Sequence, residues 1–219
     1  MRLIDERGAV VDAGRRLAAA GLVIGSSGNL SMRGGDFVVV TPTGMSIADM
    51  APEDLAVIDM DGAWVEGRYK PTSEVPLHLA IYAATNATAV AHTHAVTSAA
   101  VSCSCKELPP IHYNCLQLGG PVRVAEYATY GSAQLAANVV AALGGGRNAA
   151  LMANHGSIAY GDSMSKACDR LQLLEWLCQH YAEAIRIGTP SVLTDEQLAD
   201  VIGAFLTDNY ANGPQEATS

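Results

Sequence analysis

Apolar and polar positions along this chain repeat with two different periods. Residues 3–20 carry apolar positions at helical spacing, with charges in the opening turns, and predict an amphipathic helix ending at Gly21. A Gly-Ser turn leads into short runs with the two-residue period of strands. These cover residues 29–32 and 37–41 across Gly34-Gly35, then 56–59 after the helical turn Pro52-Glu53-Asp54-Leu55. Asp61-Gly62 marks another hairpin. Thr72 or Ser73 is the expected N-cap of a helix over 77–84, and a buried strand over 88–93 follows. Helices are predicted over 97–105, 132–143, 163–186 and 195–210, and strands over 122–124, 149–152 and 157–160. Hairpin-linked strands flanked by helices predict an α/β fold, a three-layer α/β/α sandwich around a central mixed, mostly antiparallel sheet. Residues 1–210 read as one domain and 211–219 as a disordered tail, with no repeat or linker between them.

Composition narrows the function. A formal net charge of −9 argues against nucleic acid or an anionic membrane as partner. It leaves open a phosphorylated small molecule, because backbone N–H groups at turns bind phosphate without help from global charge. No apolar run reaches the roughly 18 residues of a membrane span. The five cysteines form no CxxC pair and read as reduced, mostly buried thiols of a cytoplasmic protein.

Chemistry is concentrated in Ala91-His92-Thr93-His94, at the end of a predicted strand. Two histidines one residue apart on a strand point to the same side. Asn154-His155-Gly156 follows another predicted strand, so three of the six histidines stand where strands leave the core. One histidine alone is more often a satisfied core residue; an HxH pair with a distant third is a divalent-metal pattern. Glu74 is the natural fourth ligand, although a carboxylate in the first turn of a helix also serves to complement the helix dipole. Imidazole and carboxylate suit Zn²⁺, and a site able to open one position is catalytic. His78 and His180 read as ordinary helix residues. Three segments rich in Ser, Thr, Gly and Asn, namely Ser26-Ser27-Gly28-Asn29, Thr43-Gly44 and Thr72-Ser73, could form an anion nest, though such residues are usually plain turn formers. No GxGxxG or Walker sequence is present, so a nucleotide is not indicated.

Gly28-Asn29, Thr41-Pro42-Thr43-Gly44, Ser73-Glu74, His92-Thr93-His94, His112-Tyr113, Tyr127-Ala128-Thr129-Tyr130-Gly131 and Asn154-His155-Gly156 occur in that order. Together they resemble the class II aldolase/adducin-head family over residues 3–210. The resemblance implies a lyase that cleaves a ketose 1-phosphate to dihydroxyacetone phosphate and an aldehyde. It implies one Zn²⁺ per subunit on Glu74, His92, His94 and His155, and a homotetramer with sites at subunit interfaces. It also implies phosphate binding by Ser27, Gly28, Asn29, Thr43, Gly44, Thr72 and Ser73. Glu74 would move the proton at the dihydroxyacetone carbon, and Tyr113 the proton on the aldehyde side. The family's C-terminal Tyr matches Tyr210 only approximately. Within the same family, a sugar-phosphate 4-epimerase would want an Asp after the central His, and residues 114–120 contain none. A decarboxylase of a phosphorylated 3-oxo acid would want a cation such as Arg123 or Lys70. A non-catalytic binding module would lack the metal histidines.

Overall fold

The computed structural model describes residues 1–207. Tyr210 and the expected tail lie outside the described residues. The helices are α1 (Ile4–Ala19), α2 (Val75–Ala84), α3 (Val96–Ser102), α4 (Ala133–Leu143), α5 (Met164–Ile187) and α6 (Asp195–Thr207). The strands are β1 (Asn29–Gly34), β2 (Phe37–Val40), β3 (Ala56–Asp59), β4 (Trp64–Glu66), β5 (Ala89–Thr93), β6 (Glu107–Leu108), β7 (Val122–Ala125), β8 (Ala149–Met152) and β9 (Gly156–Gly161). Among the described residues they form one nine-stranded sheet in the order β4-β3-β2-β1-β5-β9-β8-β7-β6. Its pairings are antiparallel except β7 with β8, so the sheet is mixed and mostly antiparallel, as expected.

Side-chain alternation divides the interior into two apolar layers. Leu30, Val39, Ala89, Ala91 and Leu151 face Leu17 of α1 and Leu171 and Leu174 of α5. Val38, Val40, Ile58, Val90 and Ile158 face Leu77 and Ile81 of α2 and Val139 of α4. Each of these side chains is fully or almost fully buried, worth about 1.5–3 kcal/mol apiece for the Val, Leu and Ile among them. The sheet therefore lies between two helical layers, and that is the predicted sandwich. His92 continues the series of Val90, so its ring projects on the α2 side of the sheet.

Helix starts follow local chemistry. Ser132 and Ser163 cap α4 and α5 by accepting N–H groups from Leu135 and Lys166. The expected cap of α2 is corrected. The helix begins at Val75, because Pro76 is tolerated within a first turn, and Glu74 stands at the N-cap with no side-chain cap hydrogen bond. Thr72 instead accepts the Glu74 N–H through Oγ1 at 3.3 Å. The helix expected over 97–105 is shorter, since Cys103 ends it. The two-residue strand β6 and a 3₁₀ turn over Tyr113–Leu118 are too short to leave a periodic signal.

Among the described residues no helix is long and apolar enough to cross a membrane. All five cysteines are free, with Cys115, Cys168 and Cys178 buried and Cys103 exposed.

Candidate metal centre and substrate cavity

The centre forms where β5 ends between β1 and β9. Asn29 of β1 and Ile158 of β9 flank His92 in register. His94 lies just past the strand. His155 sits in the turn joining β8 to β9, where Asn154 takes the left-handed conformation (φ 55°) that Asn tolerates better than most residues. A Cβ on Gly156 would stand 2.4 Å from the Thr93 carbonyl, so only glycine lets this turn abut the end of β5.

The ligand atoms converge. His92 and His94 bring their Nε2 atoms within 2.9 Å. Glu74 Oε2 is 3.3 Å from His92 Nε2, and Glu74 Oε1 is 3.5 Å from His155 Nε2. The nitrogens of the three histidines lie within 4.8 Å of one another. A tetrahedral ion bound at about 2.0–2.1 Å requires donor–donor edges of roughly 3.3 Å, close to the spacings seen here. His92 Nδ1 lies 2.8 Å from the Ser157 carbonyl; it must donate there, which leaves the Nε2 lone pair facing the other ligands. Burial holds His92 well below the usual imidazole range, with the neighbouring His155 and His94 adding to the effect. Burial also lowers His94 and His155, against an opposing pull from Glu74. Neutral imidazoles are the metal-binding form. Glu74 is 4 % exposed, and its Oε1 is buried without a hydrogen-bond partner. An unpaired buried carboxylate oxygen is costly unless a cation meets it, so this donor set fits a divalent ion.

A cavity of about 290 Å³ opens over Glu74, His94 and His155. That is near the small end of ligand pockets. The cavity is lined by all seven residues expected to bind phosphate. A Cβ at Gly28 (φ 89°) would lie 2.7 Å from the His92 carbonyl, so this glycine lets the Ser-Gly loop lie directly on the strand that carries His92. The nest differs in detail from the expectation. The N–H groups of Ser27, Thr43 and Thr72 are spent on the carbonyls of Ile24, Lys70 and Thr41. Asn29 has committed its side chain to Glu74, donating from Nδ2 to Oε2 at 2.7 Å. The wall also contains Tyr127, Tyr130 and Asn154, which stood in the sequence motifs without an assigned task.

Two other residues differ from their reading. His78 is fully buried and bonded on both ring nitrogens, to Ser31 Oγ at 2.6 Å and to Asn29 Oδ1 at 2.5 Å. It is no ordinary helix residue, and its position four residues after Glu74 was the available signal. Tyr113 does not line the cavity. It is 44 % exposed and stacks on His112, beside Trp176 and His180.

The model of the class II aldolase and adducin N-terminal domain matches residues 8–182. The chain belongs to this family. It is 37 % identical over 203 residues to the 5-methylthioribulose-1-phosphate/5-deoxyribulose-1-phosphate aldolase of Rhodospirillum rubrum, covering 92 % of this chain and 91 % of that protein. It is 36 % identical over 201 residues to the L-fuculose phosphate aldolase of Escherichia coli, covering 90 % and 93 %. A solved L-fuculose 1-phosphate aldolase superposes with a TM-score of 0.88 at 33 % identity, covering 94 % of this chain and 98 % of that one. This class II aldolase is thus a lyase of the metal-dependent sugar-phosphate group, and its three-histidine cluster is of the kind that holds a divalent metal in that family.

Proposed function

We propose that the protein is a zinc-dependent aldolase that reversibly cleaves a ketose 1-phosphate into dihydroxyacetone phosphate and a small aldehyde. The observation that carries this reading is one cavity wall in which Glu74, His94 and His155, with His92 buried behind them, adjoin glycine- and hydroxyl-rich turns. Glu74, His92, His94 and His155 would hold the ion. A zinc ion held there supplies Lewis acidity toward the negative charge that develops as the carbon–carbon bond breaks.

The chain's own groups do the rest. Gly28, Gly44 and Ser73 offer backbone N–H groups to the phosphate, and Thr43, Thr72 and Ser73 add hydroxyls. Asn29 stiffens the link between that nest and Glu74. Cleavage requires a proton to leave the hydroxyl at C4, the C3–C4 electron pair to pass to the dihydroxyacetone half, and a proton to arrive at C3. Glu74 stands at the cavity floor and delivers the C3 proton.

Tyr113 takes the C4 hydroxyl proton. It lies away from its own cavity on an exposed aromatic patch, so it acts from a second copy of the chain, in a homotetramer with sites at the subunit interfaces.

The test is condensation. Zinc-loaded protein is given dihydroxyacetone phosphate with L-lactaldehyde, glycolaldehyde, acetaldehyde or methylthioacetaldehyde, and ketose phosphate is assayed. One aldehyde should react at least ten-fold faster than the slowest. No product from any of them overturns the assignment.

A further inference from the structure

Glu74 and Asn29 belong to a buried polar strip whose other members the reaction as described does not use. Glu74, His78 and Tyr82 recur every fourth residue and share one face of α2 and its cap. Asn29 and Ser31 alternate along β1 and so face the same way. The five residues are 0–6 % exposed and meet as a chain. Tyr82 Oη is 2.7 Å from Ser31 Oγ, which is 2.6 Å from His78 Nδ1. His78 Nε2 is 2.5 Å from Asn29 Oδ1, and Asn29 Nδ2 is 2.7 Å from Glu74 Oε2.

Donor and acceptor bookkeeping fixes each hydrogen in this strip. The Glu74 carboxylate only accepts, so the NH₂ of Asn29 must face it. The amide oxygen of Asn29 then faces His78, so His78 carries its proton on Nε2. Its Nδ1 is therefore an acceptor and takes the Ser31 hydroxyl proton. Ser31 in turn accepts from Tyr82. Every bond points toward Glu74 Oε2. The other carboxylate oxygen, Oε1, is the one with no hydrogen-bond partner.

We propose that His78, backed by Ser31 and Tyr82, is a positioning residue for the metal-binding carboxylate: it locks the Asn29 amide so that Oε2 is tethered and Oε1 is presented to the ion. This rests on the reading of Glu74 as a metal ligand. Asn29 stands one shell outside the ligand, where such partners are worth roughly 10–100-fold in metal affinity, and His78 acts through it.

Two measurements that need no sugar substrate test it. In metal-free, ¹⁵N-labelled protein, long-range ¹H–¹⁵N spectra should report the Nε2–H tautomer at His78; an Nδ1–H tautomer overturns the proposal. Titration with Co²⁺ followed by visible absorption then compares variants. His78→Leu should weaken binding at least ten-fold and change the band shape. His78→Gln, whose amide N–H can still reach Asn29 Oδ1, should come back to within about three-fold of the wild type. Unchanged affinity and band shape in His78→Leu overturn the proposal. Should His78→Leu not fold, Ser31→Ala carries the same comparison: a mixed tautomer at His78 and several-fold weaker Co²⁺ binding support it, and wild-type behaviour in both overturns it. A wild type that binds Co²⁺ tightly yet condenses no aldehyde would refute the aldolase reading and leave the positioning role standing.

Discussion

His92 donates from Nδ1 to the Ser157 carbonyl, 2.8 Å away across the β5–β9 ladder, and this bond decides which nitrogen the ring shows to Glu74. A main-chain acceptor cannot be lost by side-chain substitution, so the orientation of the deepest ligand is built into the sheet. Removal of the more accessible ligand His94 should therefore leave the fold intact. His94→Ala is expected to lower zinc affinity by more than the roughly 10–100-fold typical of outer-shell changes and to abolish turnover with it. Metal analysis of the dialysed protein, read beside its circular dichroism, checks this.

Glu74→Gln separates ligand from proton carrier. The amide keeps an oxygen for the ion but loses the titrating proton. Turnover should fall roughly 10²–10⁴-fold, while metal content at saturating zinc stays near one per chain. Dihydroxyacetone phosphate production at near wild-type rate would contradict the role given to Glu74.

Metal removal should be visible as lost stability. At free zinc 100-fold above the dissociation constant, binding contributes about 2.7 kcal/mol. For a chain of this size that corresponds to a fall in Tm of roughly 5–10 °C on chelation. An unchanged Tm after confirmed metal loss would speak against a site formed only in the native state.

Gly28→Ala combines a left-handed φ with a Cβ 2.7 Å from the His92 carbonyl. A loss of about 1–3 kcal/mol is expected from strain alone. The strand end must also shift, so zinc affinity should drop in the same variant. Denaturant midpoints and a metal titration measure the two effects.

Acid should destabilise the metal-free protein through His78. Burial lowers this residue from 6.5 to about 4, with Glu74 opposing the shift and His92 adding to it. The folded state resists the proton that the unfolded chain accepts, so stability is full above pH 6.5 and declines as pH falls toward 4. One such group contributes roughly 3 kcal/mol over that window. His78→Gln should flatten the decline between those pH values relative to wild type, and unfolding curves at pH 4.5 and 7 will show whether it does.

Much of this was legible in the chain before any coordinates. Strand periodicity followed by His92, His94 and His155 put three imidazoles at strand ends, which the fold gathers into one cluster, and Glu74 stood at a helix start. Residues 56–59 and 149–152 are strands as expected, because Ala56-Val57-Ile58 and Ala149–Met152 are buried, continuous apolar runs. What escaped depends on contacts between distant elements. The burial of His78 comes from packing α2 against β1, which local spacing does not encode. The Asn29 amide was read as part of the phosphate nest, because its bond to Glu74 joins residues 45 positions apart. Tyr113 stands on an exposed patch whose use depends on what covers it. Tyr210, matched only approximately, lies outside the described residues.

His92 rides on β5, which is hydrogen-bonded along both edges, by β1 on one side and β9 on the other. Such an inner strand belongs to the part of a protein that opens last. The imidazole of His92 is thereby held in place until the whole sheet opens, whatever the loops at the mouth of the cavity do.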